Sequence, residues 1–298
     1  MVDIICALCG KNQRTEVLYK STFNKRQITS VTYSARRPPD RIHYKILKCQ
    51  KCGLIFSSPV LEPSKITEFY RESVCSYDEQ IPYLIKAYMR EFQRIEPFLP
   101  QNPKILEIGC GNGFFLEALK KRGIKDLFGV EPSPKMVSEA PSYLKKRITS
   151  DVFKQKQFPN NNFDAVLCFH TLDHVVNLNK FIKSVREILK PGGFIFFVVH
   201  NTDSIFAKLF GEKWPIFDIE HIVLFNKKTL RTLFSKHQFI NIQTLDVRNF
   251  YPLSYYVNMS PISLKIKNIL LNILNKFKLQ NISFPLVGSN IGIIAQKK

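Results

Sequence analysis

The amino-acid sequence predicts an α/β protein in which helices cover a doubly wound, mostly parallel sheet of seven strands, preceded by a small N-terminal module. Three observations support this prediction. From residue 101 onward, apolar strand-like segments alternate with helical segments over short connections. A glycine-rich turn joins the first of these strands to the next helix. Residues 1–60 differ, because they show little helical periodicity and contain two closely spaced cysteine pairs.

The strands of the predicted sheet are short apolar runs bounded by turn residues or charges. They are expected at 104–108, 127–130, 147–149, 163–169, 194–200, 239–247 and 291–295. Helical periodicity and stop signals predict helices at 62–72, 82–99, 114–122, 134–140, 179–189 and 227–236. We therefore divide the chain into an N-terminal module (1–60), a helical lid or linker (61–100), a ligand-binding domain (101–250) and a C-terminal helix with the final strand (251–298).

The chain is strongly basic, with 44 Lys and Arg against 24 Asp and Glu, and its formal net charge is +20. Such an excess is typical of proteins with an anionic partner, such as nucleic acid, a phosphorylated substrate or a membrane surface. The alternative is a basic surface that only solvates the protein. No apolar run reaches the roughly 20 residues that span a bilayer, and the first residues lack the pattern of a secretory signal. We therefore expect a cytoplasmic protein.

The most specific motif is the glycine turn after the first predicted strand, in the sequence KILEIGCGNG. Gly109 and Gly111 permit a sharp turn and a close approach to a ligand. The helix that begins near Gly113 offers free N–H groups to polar ligand atoms. Glu131 ends the next strand, 24 residues after Glu107, where a carboxylate can bind the hydroxyls of a ribose. These features predict a site for a nucleoside-containing cofactor.

A nicotinamide dinucleotide is the main alternative ligand for such a turn. The glycines follow the spacing GxGxG, whereas dinucleotide sites have GxGxxG. Glu107 lies two residues before the first glycine, where its carboxylate would repel a pyrophosphate. A carboxylate at this position suits the cationic sulfonium and the amino group of S-adenosylmethionine. The sequence therefore favours S-adenosylmethionine.

The region from Lys104 to His200 resembles the class I S-adenosylmethionine-dependent methyltransferases. The resemblance rests on the glycine turn and on the segments NFDAVLCFHTLDHV and VREILKPGGFIFF. It implies a Rossmann-like fold and an enzyme that transfers a methyl group. It also implies the residues that hold the methionine end, the ribose and the adenine, which are Glu107, Gly109, Cys110, Gly111, Gly113, Glu131, Pro132, Asp151, Val152 and Phe169.

Two CxxCG pairs lie in the N-terminal module, with 39 residues between them. In a chain without an export signal, such pairs indicate metal binding rather than disulfides. Four thiolates with no open coordination position form a structural zinc site, and an iron site of the rubredoxin type is the alternative. The sequence therefore predicts a zinc-ribbon-like module with the ligands Cys6, Cys9, Cys49 and Cys52. The other cysteines, Cys75, Cys110 and Cys168, fall outside this pattern.

The catalytic candidates lie in the loops after the fourth and fifth strands, because ligands bind beyond the carboxyl ends of parallel strands. They are His170, Asp173, His174, His200 and the pair Glu220–His221. Methyl transfer needs an aligned acceptor and often a base that removes its proton. A neighbouring carboxylate can orient an imidazole and raise its basicity. We therefore predict that His221 is the general base and Glu220 its partner. The alternative is that His221 packs against or caps the following helix.

The Glu-His pair before a phenylalanine also resembles methyltransferases of deoxysugar and polysaccharide pathways, several of which begin with a four-cysteine zinc module. The resemblance implies a small-molecule or carrier-linked sugar as acceptor and the histidine as base. Asp218 is a departure, since an aromatic residue usually stands at that position. The C-methylating enzymes also carry an extra C-terminal domain, which this chain is too short to hold. We therefore expect O-methylation rather than C-methylation.

Two other functions fit parts of the sequence. One is an RNA methyltransferase that grips RNA with the module and the basic surface, and the other is a non-catalytic scaffold. The intact glycine turn and carboxylates argue against a scaffold. The segment CFHT after the fourth strand lacks the usual signatures of RNA methyltransferases, although Cys168 leaves pyrimidine methylation open. Nucleic acid is therefore the less favoured partner. Tyr77 and Tyr83 either close over the ligands or pack in the core.

An apolar stripe at helical spacing runs through residues 263–278. It is formed by Ile266, Ile269, Leu270, Ile273, Leu274 and Phe277, and it is flanked by Lys265, Lys267, Lys276 and Lys278. No acidic residue follows Asp246. Lysines beside an apolar stripe suit a helix at a lipid surface, so peripheral contact with the inner membrane surface is one expectation. The alternative is packing on the protein's own domain or on a second subunit.

Overall fold

The computed structural model describes residues 1–10, 14–23, 27–34, 39–73 and 78–298. Cys75 and Tyr77, which the sequence singled out, lie outside these residues. The strands are β1 (Thr15–Tyr19), β2 (Ile46–Cys49), β3 (Ile55–Ser57), β4 (Lys104–Ile108), β5 (Asp126–Val130), β6 (Ile148–Thr149), β7 (Phe163–Phe169), β8 (Leu189–His200), β9 (Val223–Leu224), β10 (Phe239–Asn249) and β11 (Leu286–Lys297).

Helices alternate with these strands along most of the chain. They are α1 (Pro63–Glu72), α2 (Ile81–Phe92), α3 (Phe114–Lys121), α4 (Pro134–Glu139), α5 (Ser142–Lys145), α6 (Leu178–Ile188), α7 (Ile205–Phe210), α8 (Lys227–Lys236), α9 (Leu253–Met259) and α10 (Leu264–Lys276). Within the described ranges, none of the helices is both long and apolar enough to cross a membrane.

The larger sheet has seven strands in the order β10-β11-β8-β7-β4-β5-β6. Strands β4 to β8 pair in parallel, while β11 is inserted antiparallel between β8 and β10. The predicted α/β fold with a mostly parallel, seven-stranded sheet is therefore confirmed. The order reverses at β4, because β5 and β6 lie on one side of it and β7 and β8 on the other. Such a switch point leaves a crevice at the carboxyl ends of the central strands.

Helix α2 is shorter than the sequence predicts. The predicted helix covered 82–99, whereas α2 ends at Phe92 and a separate 3-10 turn covers Glu96–Phe98. Pro97 explains the difference, since proline has no N–H to donate and its ring clashes with the carbonyl four residues earlier. The aromatic residues of α2 still face the large sheet, where Tyr88 and Phe92 are buried.

Both faces of the large sheet are buried. One face packs against α2 and α3 through aromatic residues that include Phe92, Phe115 and Phe196. The other face packs against α6 and α8 and belongs to the same apolar cluster as Tyr44 and Phe56 of residues 1–60. Each fully buried aromatic or aliphatic side chain contributes roughly 1.5–3 kcal/mol to stability. The N-terminal residues are therefore part of the main core.

The smaller sheet joins the N-terminal residues to the large domain, with the order β1-β2-β3-β9. Its first three strands come from residues 1–60, as the sequence suggested for that module. Its fourth strand, β9, comes from the region after Glu220–His221. The strand pairing of β9 was not predicted, because two residues are too short a signal in the sequence. The domain boundaries stay a prediction, but this sheet crosses the one at residue 60.

Candidate active site

A cavity of about 470 Å³ opens at the carboxyl edge of the large sheet, beside the end of β4. Its walls come from the glycine turn, from the loops after β5, β6 and β7, and from α1 and α2. The cavity therefore lies where the strand order places a ligand crevice. The predicted cofactor-binding residues that line it are Glu107, Gly109, Gly111, Glu131, Pro132, Val152 and Phe169.

The glycine turn has a backbone conformation that other residues adopt only with strain. Gly109, Gly111 and Gly113 have φ angles of 75°, 55° and 77°, in the left-handed region that favours glycine. A Cβ atom on Gly109 would overlap the side chain of Thr171. At Gly109 and Gly111 the turn therefore lines the cavity with backbone atoms only.

Both carboxylate oxygens of Glu131 accept backbone hydrogen bonds, one of them from this turn. Oε2 accepts a hydrogen bond from the Gly111 N–H at 2.9 Å, and Oε1 accepts one from the Ser133 N–H at 2.9 Å. Burial raises the pKa of Glu131, and these two donors counteract part of that rise. Each carboxylate oxygen can accept a further hydrogen bond. Glu131 is thus able to hold the turn and a ribose hydroxyl together.

Glu107 has the environment of a carboxylate that needs a cationic ligand. Its side chain is buried in the cavity wall, and its Oε2 atom accepts no hydrogen bond from the residues that the structure describes. Burial raises the pKa of Glu107 well above its ordinary value, and the charge of Glu131 raises it further. A buried carboxyl group without a partner is costly. The amino and sulfonium groups of S-adenosylmethionine would satisfy it, so these residues fit that cofactor.

Three predicted cofactor-binding residues lie outside the cavity wall. Cys110 is buried and packs below the turn against Gly129. Gly113 precedes α3 as its N-cap, with Leu144 next to it. Asp151 forms ion pairs with Arg71 at 3.0 Å and with Lys154. Burial alone would raise the pKa of Asp151, but hydrogen bonds from Lys154, Val152 and Arg71 lower it below its ordinary value. Arg71 and Lys154 therefore already bind the Asp151 carboxylate, and an adenine would compete with them for it.

The catalytic candidates from distant parts of the sequence form one cluster around the buried carboxylate of Asp173. His200 Nδ1 lies 2.7 Å from Asp173 Oδ2, and His221 Nε2 lies 4.0 Å from the same oxygen. The His221 ring is 4.5 Å from the His200 ring and 5.0 Å from the His174 ring, between centroids. Burial tends to raise the pKa of Asp173, but the hydrogen bond from His200 and the surrounding imidazoles hold it far below its usual range. Asp173 is therefore ionised, and its negative charge favours the protonated form of each neighbouring imidazole.

Asp218, and not Glu220, is the main carboxylate partner of His221. Asp218 Oδ1 lies 3.1 Å from His221 Nδ1. Burial lowers the pKa of His221, but the charges of Asp218, Asp173 and Glu220 outweigh it and raise the pKa to about 9. Asp218 has the largest of these effects. Asp218 is thus a partner that the sequence analysis did not predict, since the spacing i, i+3 places it at the ring. Glu220 lines the cavity and raises the pKa of His221 less, and its catalytic role stays a prediction.

His174 and His170 contact the cavity, and each is held by a neighbour. His174 Nδ1 lies 2.8 Å from the hydroxyl of Tyr70. Burial lowers the pKa of His174 to about 4, so its ring is neutral at physiological pH. His170 has a φ of 48°, and its Nε2 lies 3.3 Å from the Asn290 amide. A left-handed backbone at a residue other than glycine is strained and is often found at functional sites.

Two tyrosines of the cavity were missed by the sequence analysis. Tyr70 of α1 bonds to His174, and Tyr88 of α2 stacks on Phe169 with ring centroids 4.1 Å apart. Tyr83, one of the two tyrosines that the sequence suggested for a role at the ligands, packs beside Tyr251, with ring centroids 6.3 Å apart. Helical periodicity by itself predicts only that an aromatic residue on the apolar face of a helix packs in the core. Their role at the cavity depends on how α1 and α2 cross the edge of the sheet.

The four cysteines of the N-terminal module converge. One ligand atom from each of Cys6, Cys9, Cys49 and Cys52 lies within 4.8 Å of all the others, and the Cys6 and Cys52 sulfurs are 3.5 Å apart. Burial and contacts with the neighbouring thiols raise the pKa of Cys52 above its ordinary value. Four thiolates at this spacing would repel one another unless a cation lay between them. The sulfurs therefore fit a tetrahedral zinc ion.

The matched family decides the class of enzyme. A profile of the methyltransferase domain family matches residues 77–244, more than half of the chain. The chain belongs to this methyltransferase family. It is an S-adenosylmethionine-dependent class I methyltransferase, as the sequence predicts. The matched residues of this methyltransferase include the glycine turn and Glu220–His221, but neither the four cysteines nor α10.

Curated relatives of this methyltransferase are named as ubiquinone biosynthesis O-methyltransferases. The mitochondrial protein of Rattus norvegicus is 31% identical over 138 residues, which are 43% of this chain and 40% of that protein. The protein of Bradyrhizobium sp. (strain ORS 278) is 26% identical over 152 residues, 45% of this chain and 60% of that protein. The chain thus spans only about half the length of these relatives.

Solved structures align with most of this methyltransferase at low sequence identity. A methyltransferase of Thermotoga maritima, described as a possible histamine N-methyltransferase, is 22% identical and covers 72% of this chain and 93% of its own, with a TM-score of 0.48. One from Archaeoglobus fulgidus is 17% identical and covers 79% of this chain and 100% of its own, also with a TM-score of 0.48. These similarities concern the fold and not the acceptor.

Proposed function

We propose that this methyltransferase methylates a hydroxyl group of a sugar, free or linked to a carrier, in the synthesis of a polysaccharide or glycoconjugate. The observation that supports it most is a polar group at the cavity, where Glu220 and His174 line the wall and the His221 ring lies 5.0 Å from the His174 ring, between centroids. A hydroxyl acceptor is a poor nucleophile until its proton leaves, and an imidazole with a carboxylate partner can take that proton.

S-adenosylmethionine supplies the methyl group when it is bound at Glu107, the glycine turn and Glu131. His221 accepts the acceptor proton at Nε2, because its Nδ1 atom faces Asp218. Asp218 and Asp173 then stabilise the imidazolium. The stacked rings of Tyr88 and Phe169 form an apolar part of the cavity wall.

The structure offers little support for the nucleic-acid alternative that uses Cys168. This residue is fully buried within β7. Burial raises the pKa of the Cys168 thiol well above its ordinary value, and the charges of Asp173 and Glu107 raise it further. A nucleophilic cysteine needs the opposite environment, one that lowers its pKa.

The acceptor class can be tested with S-adenosylmethionine labelled in its methyl group. We expect transfer to nucleotide sugars or lipid-linked glycans, with the label on an ether oxygen after hydrolysis. RNA and ubiquinone precursors, the latter suggested by the names of the relatives, serve as competing acceptors. Label transfer to either of these, with none to the sugars, would contradict the proposal.

We further propose that α10 binds an anionic lipid surface and brings the enzyme to a carrier-linked acceptor. Every residue of α10 is exposed or half-buried, and Leu264 and the adjoining Phe277 are 76% and 63% exposed. Lys265, Lys276 and Lys278 border this apolar face, and no acidic residue of the sequence follows Asp246. Apolar side chains with cationic neighbours and no anions complement a bilayer of acidic lipids.

Vesicle sedimentation tests this surface. The enzyme should bind vesicles that contain phosphatidylglycerol more tightly than vesicles of phosphatidylcholine alone. Changing Lys265, Lys276 and Lys278 to Glu should weaken this binding by about a hundredfold or more, since each basic residue near the surface contributes about 1 kcal/mol.

The matched control changes Lys125, Lys145 and Lys146, which are exposed near the opposite edge of the sheet, to Glu. It reverses the same charge and should bind nearly normally. Equal losses in the two variants would contradict a docking surface at α10. A dimer that only the first variant dissociates would show instead that this face binds a second copy.

A further inference from the structure

The N-terminal module is bonded to the backbone of the proposed catalytic residue. In the smaller sheet, Phe56 of β3 pairs with Val223 of β9, two residues after His221. The Ser57 N–H donates to the Ile222 carbonyl at 2.8 Å, and the Ser57 hydroxyl donates to the His221 carbonyl at 3.3 Å. Residues 55–57 are therefore joined to residues 221–224 by strand pairing and hydrogen bonds.

We infer that the zinc module is a positioning element of the active site, which holds the His221 backbone in register with Asp173 and Asp218. This inference rests on the proposed role of His221 as the base. Ile222 donates its N–H to the Asp173 carbonyl at 2.8 Å, so the same short segment joins β3 to the imidazole cluster. A displacement of β3 would change the distances between His221 and both carboxylates.

The second cysteine pair sets the position of β3. Cys49 ends β2, and Cys52 lies in the turn that leads to β3. The Cys49 N–H donates to the Leu54 carbonyl at 2.9 Å, and the Gly53 N–H donates to the Cys49 carbonyl at 2.8 Å. The geometry of a hairpin turn fixes the register of its strands, and a slip of one residue turns every side chain to the other face. Metal binding at this turn would therefore fix the register of β3 and of β9.

The first cysteine pair is attached to the large domain. Asn179 of α6 and Lys236 of α8 both donate hydrogen bonds to the Ala7 carbonyl, at 2.9 Å and 2.6 Å. Ala7 lies between Cys6 and Cys9. A metal held by both pairs would thus connect α6 and α8 to the strand that holds His221. Each step from α6 and α8 to His221 would then be a hydrogen bond, a covalent bond or a metal–sulfur bond.

The N-terminal module also contacts the neighbour of His174, a histidine that lines the cavity. Tyr33 lines the cavity and meets Tyr70 edge to face, with ring centroids 5.4 Å apart, while its hydroxyl lies 2.6 Å from that of Tyr44. Tyr70 in turn bonds to His174 Nδ1 at 2.8 Å. The orientation of His174 is therefore a second feature of the acceptor side that depends on residues 1–60. The cofactor residues Glu107, Gly111 and Glu131 belong to the large domain.

Variants of two adjacent serines distinguish an effect on the position of His221 from an effect on the stability of the fold. Ser57→Ala removes the buried hydroxyl that bonds to His221, and Ser58→Ala removes one that accepts the Ile4 N–H at 3.0 Å. Both should lower the melting temperature slightly. Only Ser57→Ala should lower kcat, by about two- to tenfold, the range expected for one buried hydrogen bond. It should also shift the midpoint of the kcat–pH profile and leave the affinity for S-adenosylmethionine unchanged. Equal kcat values and pH profiles in the two variants would overturn the inference.

Metal removal gives the larger effect. Purified, reduced protein should hold one zinc or iron per chain, and a chelator should lower turnover more than tenfold while calorimetry still detects binding of S-adenosylmethionine. Hydrogen exchange should rise at 46–57 and also at 219–225. Fast exchange confined to residues 1–60, with normal turnover, would overturn the inference. Failure of the proposed function is distinguishable, because His221→Ala would then be fully active, whatever the metal does.

Discussion

Replacing His221 with Ala is expected to lower turnover by about 10²–10⁴-fold at pH 9, the usual contribution of a general base. The affinity for S-adenosylmethionine should stay nearly unchanged, because Glu107, the glycine turn and Glu131 hold the cofactor. Glu220→Gln should have a smaller effect, since Asp218 is the closer partner of the ring. Single-turnover kinetics with the identified acceptor would measure both changes.

The pH dependence follows from the raised pKa of His221, which is about 9 against an ordinary value of 6.5. Only the neutral ring accepts a proton, so turnover should rise about tenfold per pH unit above 7 and level off near 9. His221→Ala should lose this slope. Stability has the opposite trend. The protonated ring stabilises the fold fully below pH 6.5, and this contribution is lost as pH rises through 9.

His237→Ala is the matched control for this experiment. His237 follows α8, and its Nε2 bonds to Asn179 at 2.8 Å, on a different part of the large domain. Its loss should lower stability and reduce turnover per folded molecule far less than the loss of His221, because His237 reaches the imidazole cluster only through Asn179 and the N-terminal module. A folded His221→Ala variant with near-normal turnover would contradict the catalytic role and leave His174 or His170 as the next candidate. The methyltransferase assignment would be unaffected.

Replacing Gly111 with Val is expected to abolish measurable binding of S-adenosylmethionine. The wild-type enzyme should bind it in the micromolar range, roughly −8 kcal/mol. A β-branched residue at the φ of 55° found at Gly111 is strained, and its side chain would occupy the cavity wall beside Glu131. Titration calorimetry should show a loss of at least about a hundredfold, or roughly 2.7 kcal/mol.

Gly123→Val controls for backbone strain without a change at the cavity. Gly123 also has a positive φ, 101°, and a Cβ atom there would meet nothing within 4 Å. This variant should be less stable and still bind the cofactor. Normal binding by a folded Gly111→Val protein would contradict the assigned site. Binding of NADH instead of S-adenosylmethionine would contradict the choice of cofactor.

The sequence predicted the features that depend on local patterns. Strand and helix periodicity yielded the seven-stranded sheet, because burial on both faces makes its strands apolar runs. The glycine turn and Glu131 were found from spacing alone, since a turn of this shape needs glycine at fixed positions. The cysteine spacing predicted the cluster that the structure shows, while its metal content stays a prediction.

Contacts between distant residues decided the rest of the site. Nothing in the sequence joined Ser57 to His221, or Tyr70 to His174, because these pairs are 164 and 104 residues apart. Asp151 likewise pairs with Arg71, 80 residues earlier, and does not line the cavity. The sequence by itself determined the fold class, the cofactor turn and the grouping of the four cysteines. Only the tertiary structure brought Asp218 to His221, and only it placed β9 in the sheet of the N-terminal module. The physical reason is that charge pairing and strand pairing depend on distance in space, which periodicity and spacing along the chain do not specify.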